Sequence, residues 1–89
     1  MYRKAKRDKN EKHIVDFLRR VGATVAYIDA PGIPDLLVGY RGVTTLIEIK
    51  SKRGKLTQPQ KEFFDSWQGT CHIVRSTTDA KKVLRQCQL

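Results

Sequence analysis

The sequence predicts an α/β fold in which a mixed β-sheet is flanked by helices, in the order α-β-β-β-α-β-α. Three observations lead to this prediction. Residues 9–21 carry apolar side chains at helical spacing, residues 24–50 contain three runs typical of strands, and a short apolar run at 71–75 lies between two further helical segments. A strand that follows a helical crossover can pair in parallel with an earlier strand, whereas hairpin arms are antiparallel.

The first helix is predicted over about residues 9–20. Asp8 and Glu11 have the spacing of a capping box, and Gly22 is a typical residue to end a helix. Apolar residues between them recur at helical spacing: Ile14, Val15, Leu18 and Val21. One face of this helix is therefore expected to pack against the sheet.

Three strands should follow. Residues 24–29 are β-branched and aromatic enough for a strand, and the two prolines of residues 30–34 then exclude both helix and central strand. Strands two and three are predicted at about 35–40 and 43–50 as the arms of a hairpin. Arg41-Gly42 forms its two-residue turn.

The second half of the chain predicts a helix, a strand and a helix. Thr57 should cap a helix over about 58–68, with Pro59 in the first turn, where proline is tolerated. Residues 71–75 read as a short buried strand, and Ser76 opens the last helix, which runs towards the C-terminus.

Length and charge indicate one small domain that binds a polyanion. The chain has 89 residues, with 18 Lys and Arg against 9 Asp and Glu, giving a formal charge of +9. We expect a basic N-terminal arm at 1–8 and a single domain at 9–89. No apolar stretch approaches the roughly 20 residues of a membrane span, so nucleic acid is favoured over a membrane surface.

The two cysteines, Cys71 and Cys87, are expected to be ordinary reduced thiols. The sequence contains no second pair of cysteines that would complete a zinc site with them. This pattern and the lack of a signal-peptide segment predict a cytoplasmic protein.

The hairpin carries the strongest candidate site. With a two-residue turn at 41–42, paired residues have numbers that sum to 83, so Asp35 lies directly opposite Glu48. Opposed side chains are about 5 Å apart and like charges there destabilise a sheet, but a divalent metal would use them. Lys50 lies on the same face because strand side chains alternate. The pattern suggests a metal-dependent hydrolase.

Glu11 and Gln60 each allow two interpretations. Glu11 shares the buried face of helix one, yet a first-turn glutamate can simply cap the helix. Gln60 completes a capping box with Thr57, yet it also shares the inward face of its helix. The aromatic residues on that face are expected to be core rather than a base-stacking platform: Phe63, Phe64 and Trp67.

Taken together, these motifs resemble the VRR-NUC (virus-type replication-repair nuclease) domains of the PD-(D/E)XK nuclease superfamily. The matching segments are residues 32–37 (GIPDLL), 46–51 (LIEIKS), 54–61 (GKLTQPQK) and 73–76 (IVRS). The resemblance implies a restriction-endonuclease-like core and a set of five active-site residues: Glu11, Asp35, Glu48, Lys50 and Gln60.

The resemblance also implies a Mg²⁺-dependent endodeoxyribonuclease, with Mn²⁺ as a substitute and no small-molecule cofactor. The expected metal ligands are Asp35, Glu48, the backbone carbonyl of Ile49, and Glu11 directly or through water. Basic residues of the arm and of the loop after strand three would contact DNA phosphates: Arg3, Lys4, Lys6, Arg7, Lys9, Lys52, Arg53 and Lys55. We expect that loop, residues 51–55, to be mobile.

The substrate expected from this combination is branched DNA, such as a Holliday junction or a flap, cut by a homodimer during replication, recombination or repair. The alternative is a non-catalytic basic domain that binds nucleic acid or serves as an interaction module in a replication complex. In that case the acidic residues would be structural.

Overall fold

The computed structural model describes residues 9–87 and has the predicted element order. Its helices and strands are α1 (Lys9–Arg20), β1 (Thr24–Tyr27), β2 (Leu36–Tyr40), β3 (Val43–Ile49), α2 (Gln58–Ser66), β4 (Cys71–Val74) and α3 (Thr77–Gln86). The predicted arm and its capping residue Asp8 lie outside the described residues, as do residues 88–89.

The four strands form one mixed sheet in the order β1-β2-β3-β4. β1, β2 and β3 are antiparallel neighbours, and β4 pairs with β3 in parallel after the crossover through α2. The prediction of a mixed sheet flanked by helices is confirmed. Because β3 and β4 are parallel, their carboxyl ends lie at one edge of the sheet, next to the amino end of β2.

The hydrophobic core lies between one face of the sheet and two helices. α1 and α3 contribute buried apolar residues to it, and the strands contribute alternate positions, as the period of two requires. The largest fully buried core side chains are Ile14, Leu18, Leu36, Ile47, Val15, Val38 and Val74. Val21, predicted on the buried face, lies beyond the end of α1 and is exposed.

The prediction that the aromatic side chains of α2 belong to the core is wrong. No residue of α2 is buried. Phe63 and Phe64 are half-buried, and Trp67, which follows the helix as its C-cap, is 44% exposed. The rings of Phe63 and Trp67 stack on each other with centroids 5.3 Å apart. The two rings therefore cover part of each other's surface from solvent and do not fill the core.

The hairpin turn fixes the register of β2 and β3. Arg41 and Gly42 both have positive φ, 51° and 81°, which suits the two-residue turn that matches the natural twist of a hairpin. The observed pairs run from Tyr40–Val43 to Leu36–Ile47, and their numbers sum to 83 as predicted. None of the helices within residues 9–87 is long and apolar enough to cross a membrane.

Candidate active site

The centre of the site is a pair of buried carboxylates on adjacent strands. Asp35 immediately precedes the pair Leu36–Ile47, so the register continues to Glu48 directly across from it. Ile47 and Ile49 face the core, so Glu48 points to the opposite side of the sheet. Asp35 is 8% exposed and Glu48 only 2%. Two acidic side chains are therefore buried at the positions that the predicted register of the hairpin gave them.

Asp35 is oriented by a backbone hydrogen bond across the hairpin. The N–H of Ile49 donates to Asp35 Oδ2 at 2.8 Å, which ties the carboxylate to the end of β3. On the other side, the N–H of Ile28 donates to the carbonyl of Asp35 at 2.8 Å. The aspartate is thus anchored between β1 and β3 before any ligand is considered.

Glu48 is held by a lysine and an amide. Lys50 Nζ lies 3.6 Å from Glu48 Oε2, and the lysine side chain is 16% exposed. Gln60 Nε2 donates to the same oxygen at 3.1 Å. A buried carboxylate requires such partners. Of the two, Lys50 places a positive charge beside the carboxylate pair.

Gln60 completes the capping box of α2 and also contacts Glu48. Its Oε1 accepts from the N–H of Thr57 at 2.8 Å, and its own N–H donates to Thr57 Oγ1 at 3.4 Å. These contacts complete the capping box of α2, while the amide nitrogen remains directed at Glu48. The same side chain caps the start of α2 and links the helix to Glu48. The capping interpretation and the inward-facing interpretation are therefore compatible.

The turn before Asp35 packs against the start of α2. Gly32 has φ of +78°, and a Cβ built on it would lie 3.2 Å from Cβ of Pro59. Any other residue would be strained by the backbone angle and crowded by the proline ring. This close approach sets the distance between the loop that delivers Asp35 and the helix that delivers Gln60.

Glu11 is buried, as predicted, at 4% exposure. Its neighbour Asn10 donates from Nδ2 to the carbonyl of Arg75 at 2.7 Å and to that of Lys50 at 3.4 Å. The first turn of α1 is therefore fixed at the edge where β3 and β4 end. Within residues 9–87, no three His, Cys, Asp or Glu side chains group closely enough to hold a metal ion; a direct or water-mediated role for Glu11 stays a prediction.

Cys71 is affected by the charge of Glu48. It lies on β4 opposite Leu46, two residues before the residue that pairs with Glu48, and therefore on the same face of the sheet. Burial, and secondarily the negative charge of Glu48, raise the pKa of the Cys71 thiol to about 11. Both cysteines are free thiols, as predicted.

The predicted phosphate-binding residues are only partly within the described chain. Lys52, Arg53 and Lys55 are exposed in the loop that follows Lys50, and Lys9 is exposed at the start of α1. The remaining ones lie outside the described residues: Arg3, Lys4, Lys6 and Arg7.

The loop at 51–55 was expected to be mobile, but its carbonyls accept hydrogen bonds from Arg75. Sequence reasoning missed this arginine. Arg75 Nη1 donates to the carbonyls of Ser51 and Gly54, both at 2.7 Å, with the carbonyl of Lys52 at 3.4 Å. A signal existed: Arg75 directly follows β4, and a strand parallel to β3 must end beside the residues that follow β3.

Fold and site together define an α/β domain in which two buried carboxylates and a lysine lie on one face of a hairpin. A solved structure described as a VRR_NUC domain has a TM-score of 0.72 with this chain at 22% sequence identity, covering 86% of this chain and 91% of that one. The chain therefore has the fold of a VRR_NUC domain, which confirms the resemblance at the level of fold. The sequence matches no protein-family profile and no curated protein at a significant level.

Proposed function

We propose that the chain is a metal-dependent endonuclease that hydrolyses phosphodiester bonds in DNA. The observation that supports this most is the burial of Asp35 and Glu48 directly opposite each other. Like charges at that spacing destabilise a sheet, and burial increases the cost. A site that binds a cation gives the arrangement a purpose that folding alone does not.

The donor set fits Mg²⁺, with Mn²⁺ as a substitute. Mg²⁺ prefers oxygen ligands and is commonly bound by one or two carboxylates together with substrate phosphate. Asp35 and Glu48 would supply the carboxylates and Ile49 a backbone carbonyl, with Glu11 acting directly or through water. When bound, the metal would stabilise negative charge on the scissile phosphate and acidify a water molecule.

The protein side chains around the pair have separate tasks. Lys50 places an ammonium group 3.6 Å from Glu48 Oε2, where it would stabilise the negative charge that develops on phosphate during hydrolysis. Gln60 keeps Glu48 in one orientation through the contact to the same oxygen. The exposed Lys52, Arg53 and Lys55 would bind backbone phosphates, giving affinity that weakens with salt but reads no sequence.

The substrate we propose is branched DNA, such as a four-way junction or a flap, during replication, recombination or repair in the cytoplasm. Backbone contacts recognise DNA shape rather than base sequence. A homodimer would bring two cleavage centres to one branched molecule, because a two-fold axis relates the two sites. This combination requires neither a membrane nor a small-molecule cofactor.

Cleavage of labelled DNA tests the proposal. Four-way junction, flap and linear duplex of matched sequence are incubated with the protein in Mg²⁺, in Mn²⁺ and in EDTA. We expect cleavage with either metal, preference for branched DNA and no product in EDTA. Asp65→Asn, an exposed carboxylate of α2, is the matched control for Asp35→Asn. DNA binding without cleavage in any metal would favour the non-catalytic binding module instead.

A further inference from the structure

We propose that Arg75 is a positioning residue that anchors the loop at residues 51–54 and, through it, fixes the side chain of Lys50. The anchoring rests on contacts within the fold, whereas its consequence for Lys50 as a catalytic group rests on the proposed function. Arg75 is not among the predicted site residues.

Arg75 fixes the loop through its carbonyl oxygens. The two contacts at 2.7 Å join one guanidinium nitrogen to the first and last residues of the loop, Ser51 and Gly54. The N–H of Gly54 also donates to the carbonyl of Ser51 at 3.1 Å. Charged donors make stronger hydrogen bonds than neutral ones, so a single side chain closes the loop into a tight turn.

The closed loop supports Lys50. A Cβ built on Gly54 would lie 3.4 Å from Cδ of Lys50 and 3.1 Å from Oγ of Ser51, so the backbone of Gly54 packs against the lysine stem. Lysine has a long flexible side chain that loses considerable rotamer freedom when fixed. Packing of Gly54 beside Cδ of Lys50 would therefore help to keep the ammonium group 3.6 Å from Glu48 Oε2.

The main chain of Arg75 is itself fixed from two sides. Its N–H donates to Asp79 Oδ2 at 2.9 Å, and its carbonyl accepts from Asn10 at 2.7 Å, a side chain that also contacts the carbonyl of Lys50. The N–H of Lys50 in turn donates to the carbonyl of Val74 at 3.1 Å. The guanidinium therefore projects from a rigid base, as a residue that positions a loop must.

Limited proteolysis tests the anchoring without reference to any activity. Trypsin can cleave after Lys52 and Arg53, and mass spectrometry identifies each cut. In Arg75→Gln we expect cleavage at these bonds to accelerate roughly tenfold or more, since hydrogen bonds from a charged donor are lost. Cleavage after Arg41, in the distant hairpin turn, serves as the internal reference. Arg85→Gln, which changes the same charge on the exposed side of α3, should cleave like the unaltered protein.

Cleavage kinetics on junction DNA test the consequence for Lys50. Arg75→Gln should lower kcat by roughly tenfold, as expected for misplacing a catalytic group, and Arg75→Lys should recover part of it by restoring a charged donor. In a Lys50→Ala background, Arg75→Gln should lower kcat no further, because residues that act as a unit are non-additive. Circular dichroism verifies that each variant is folded.

Unchanged proteolysis in Arg75→Gln would overturn the anchoring. Faster proteolysis with unchanged kcat, or a loss that adds fully to that of Lys50→Ala, would overturn the positioning role. If the unaltered protein cleaves no DNA under any condition, the proposed function fails, and proteolysis alone decides whether Arg75 anchors the loop.

Discussion

Replacing Gln60 by glutamate tests the central contact of the site. In Gln60→Glu the carboxylate can still accept from the N–H of Thr57, so the capping box of α2 survives. The other end of the side chain changes from a donor to an acceptor at 3.1 Å from Glu48 Oε2. The substitution therefore preserves the helix start and reverses only the interaction with the buried carboxylate.

The expected loss of stability at neutral pH is several kcal/mol. Two unit charges near 4 Å apart interact by about 4 kcal/mol at an effective dielectric constant of about 20, and the lost hydrogen bond to a charged group is worth about 1.5–3 kcal/mol. Sharing a proton between the carboxyls relieves part of this. Repulsion raises the pKa of the introduced carboxyl in the folded state above its pKa in the unfolded chain, which is about 4.3. The variant therefore keeps its stability below pH about 4.3 and loses it as pH rises through the folded-state pKa.

Urea unfolding at pH 5 and pH 7.5, with and without Mg²⁺, measures the effect. We expect Gln60→Glu to lose more stability at pH 7.5 than at pH 5, and added Mg²⁺ to restore part of it by screening the carboxylates. Thr57→Ala is the control: it removes the hydroxyl of the cap, at about 1 kcal/mol, without touching Glu48. A Gln60→Glu variant as stable as the unaltered protein at pH 7.5 would refute the contact between Gln60 and Glu48.

Three further predictions concern the neighbours of this contact. Asp35→Ala and Asp35→Asn should both abolish DNA cleavage, but in urea unfolding the alanine variant should be about 1–3 kcal/mol less stable than the asparagine variant, because only alanine strands the buried N–H of Ile49; equal stability of the two variants would contradict this. Lys50→Ala should keep metal affinity in calorimetry while kcat falls roughly 100-fold; joint loss would make the lysine essential to metal binding. Alkylation of Cys71 at pH 8 should be slow and should accelerate in Glu48→Gln, because a source of its raised pKa is removed. Cys87, whose pKa is raised by burial alone, should not respond, and an equal response of both thiols would indicate general loosening.

The element order could be predicted because the local signals agree with the tertiary structure. The apolar spacing of α1, the prolines before β2 and the two-residue turn all specify the conformations that the fold adopts. The register of the hairpin followed from the turn alone, and with it the opposition of Asp35 and Glu48. Short-range patterns were sufficient wherever the partner residues are close in sequence.

The features that sequence could not supply depend on contacts between distant segments. Arg75 contacts residues more than 20 positions earlier, and only the pairing of β4 with β3 brings them together. The aromatic face of α2 was misjudged because apolar spacing shows which face of a helix is apolar but not how closely the sheet approaches it. Phe63 and Trp67 cover part of each other's surface by stacking, and the apolar periodicity of the helix does not reveal this contact.

The hairpin turn also bears on how such a domain can evolve. Asp35, Glu48 and Lys50 lie on one contiguous segment of 16 residues, and the alignment of the two acids depends on the parity of a single two-residue turn. An insertion of one residue in β2 or β3, between an acid and the turn, would send that acid to the opposite face of the sheet, whereas changes outside residues 35–50 leave the alignment intact. Selection can therefore preserve the site through a short segment while the surrounding sequence diverges, which accords with a shared fold at 22% identity.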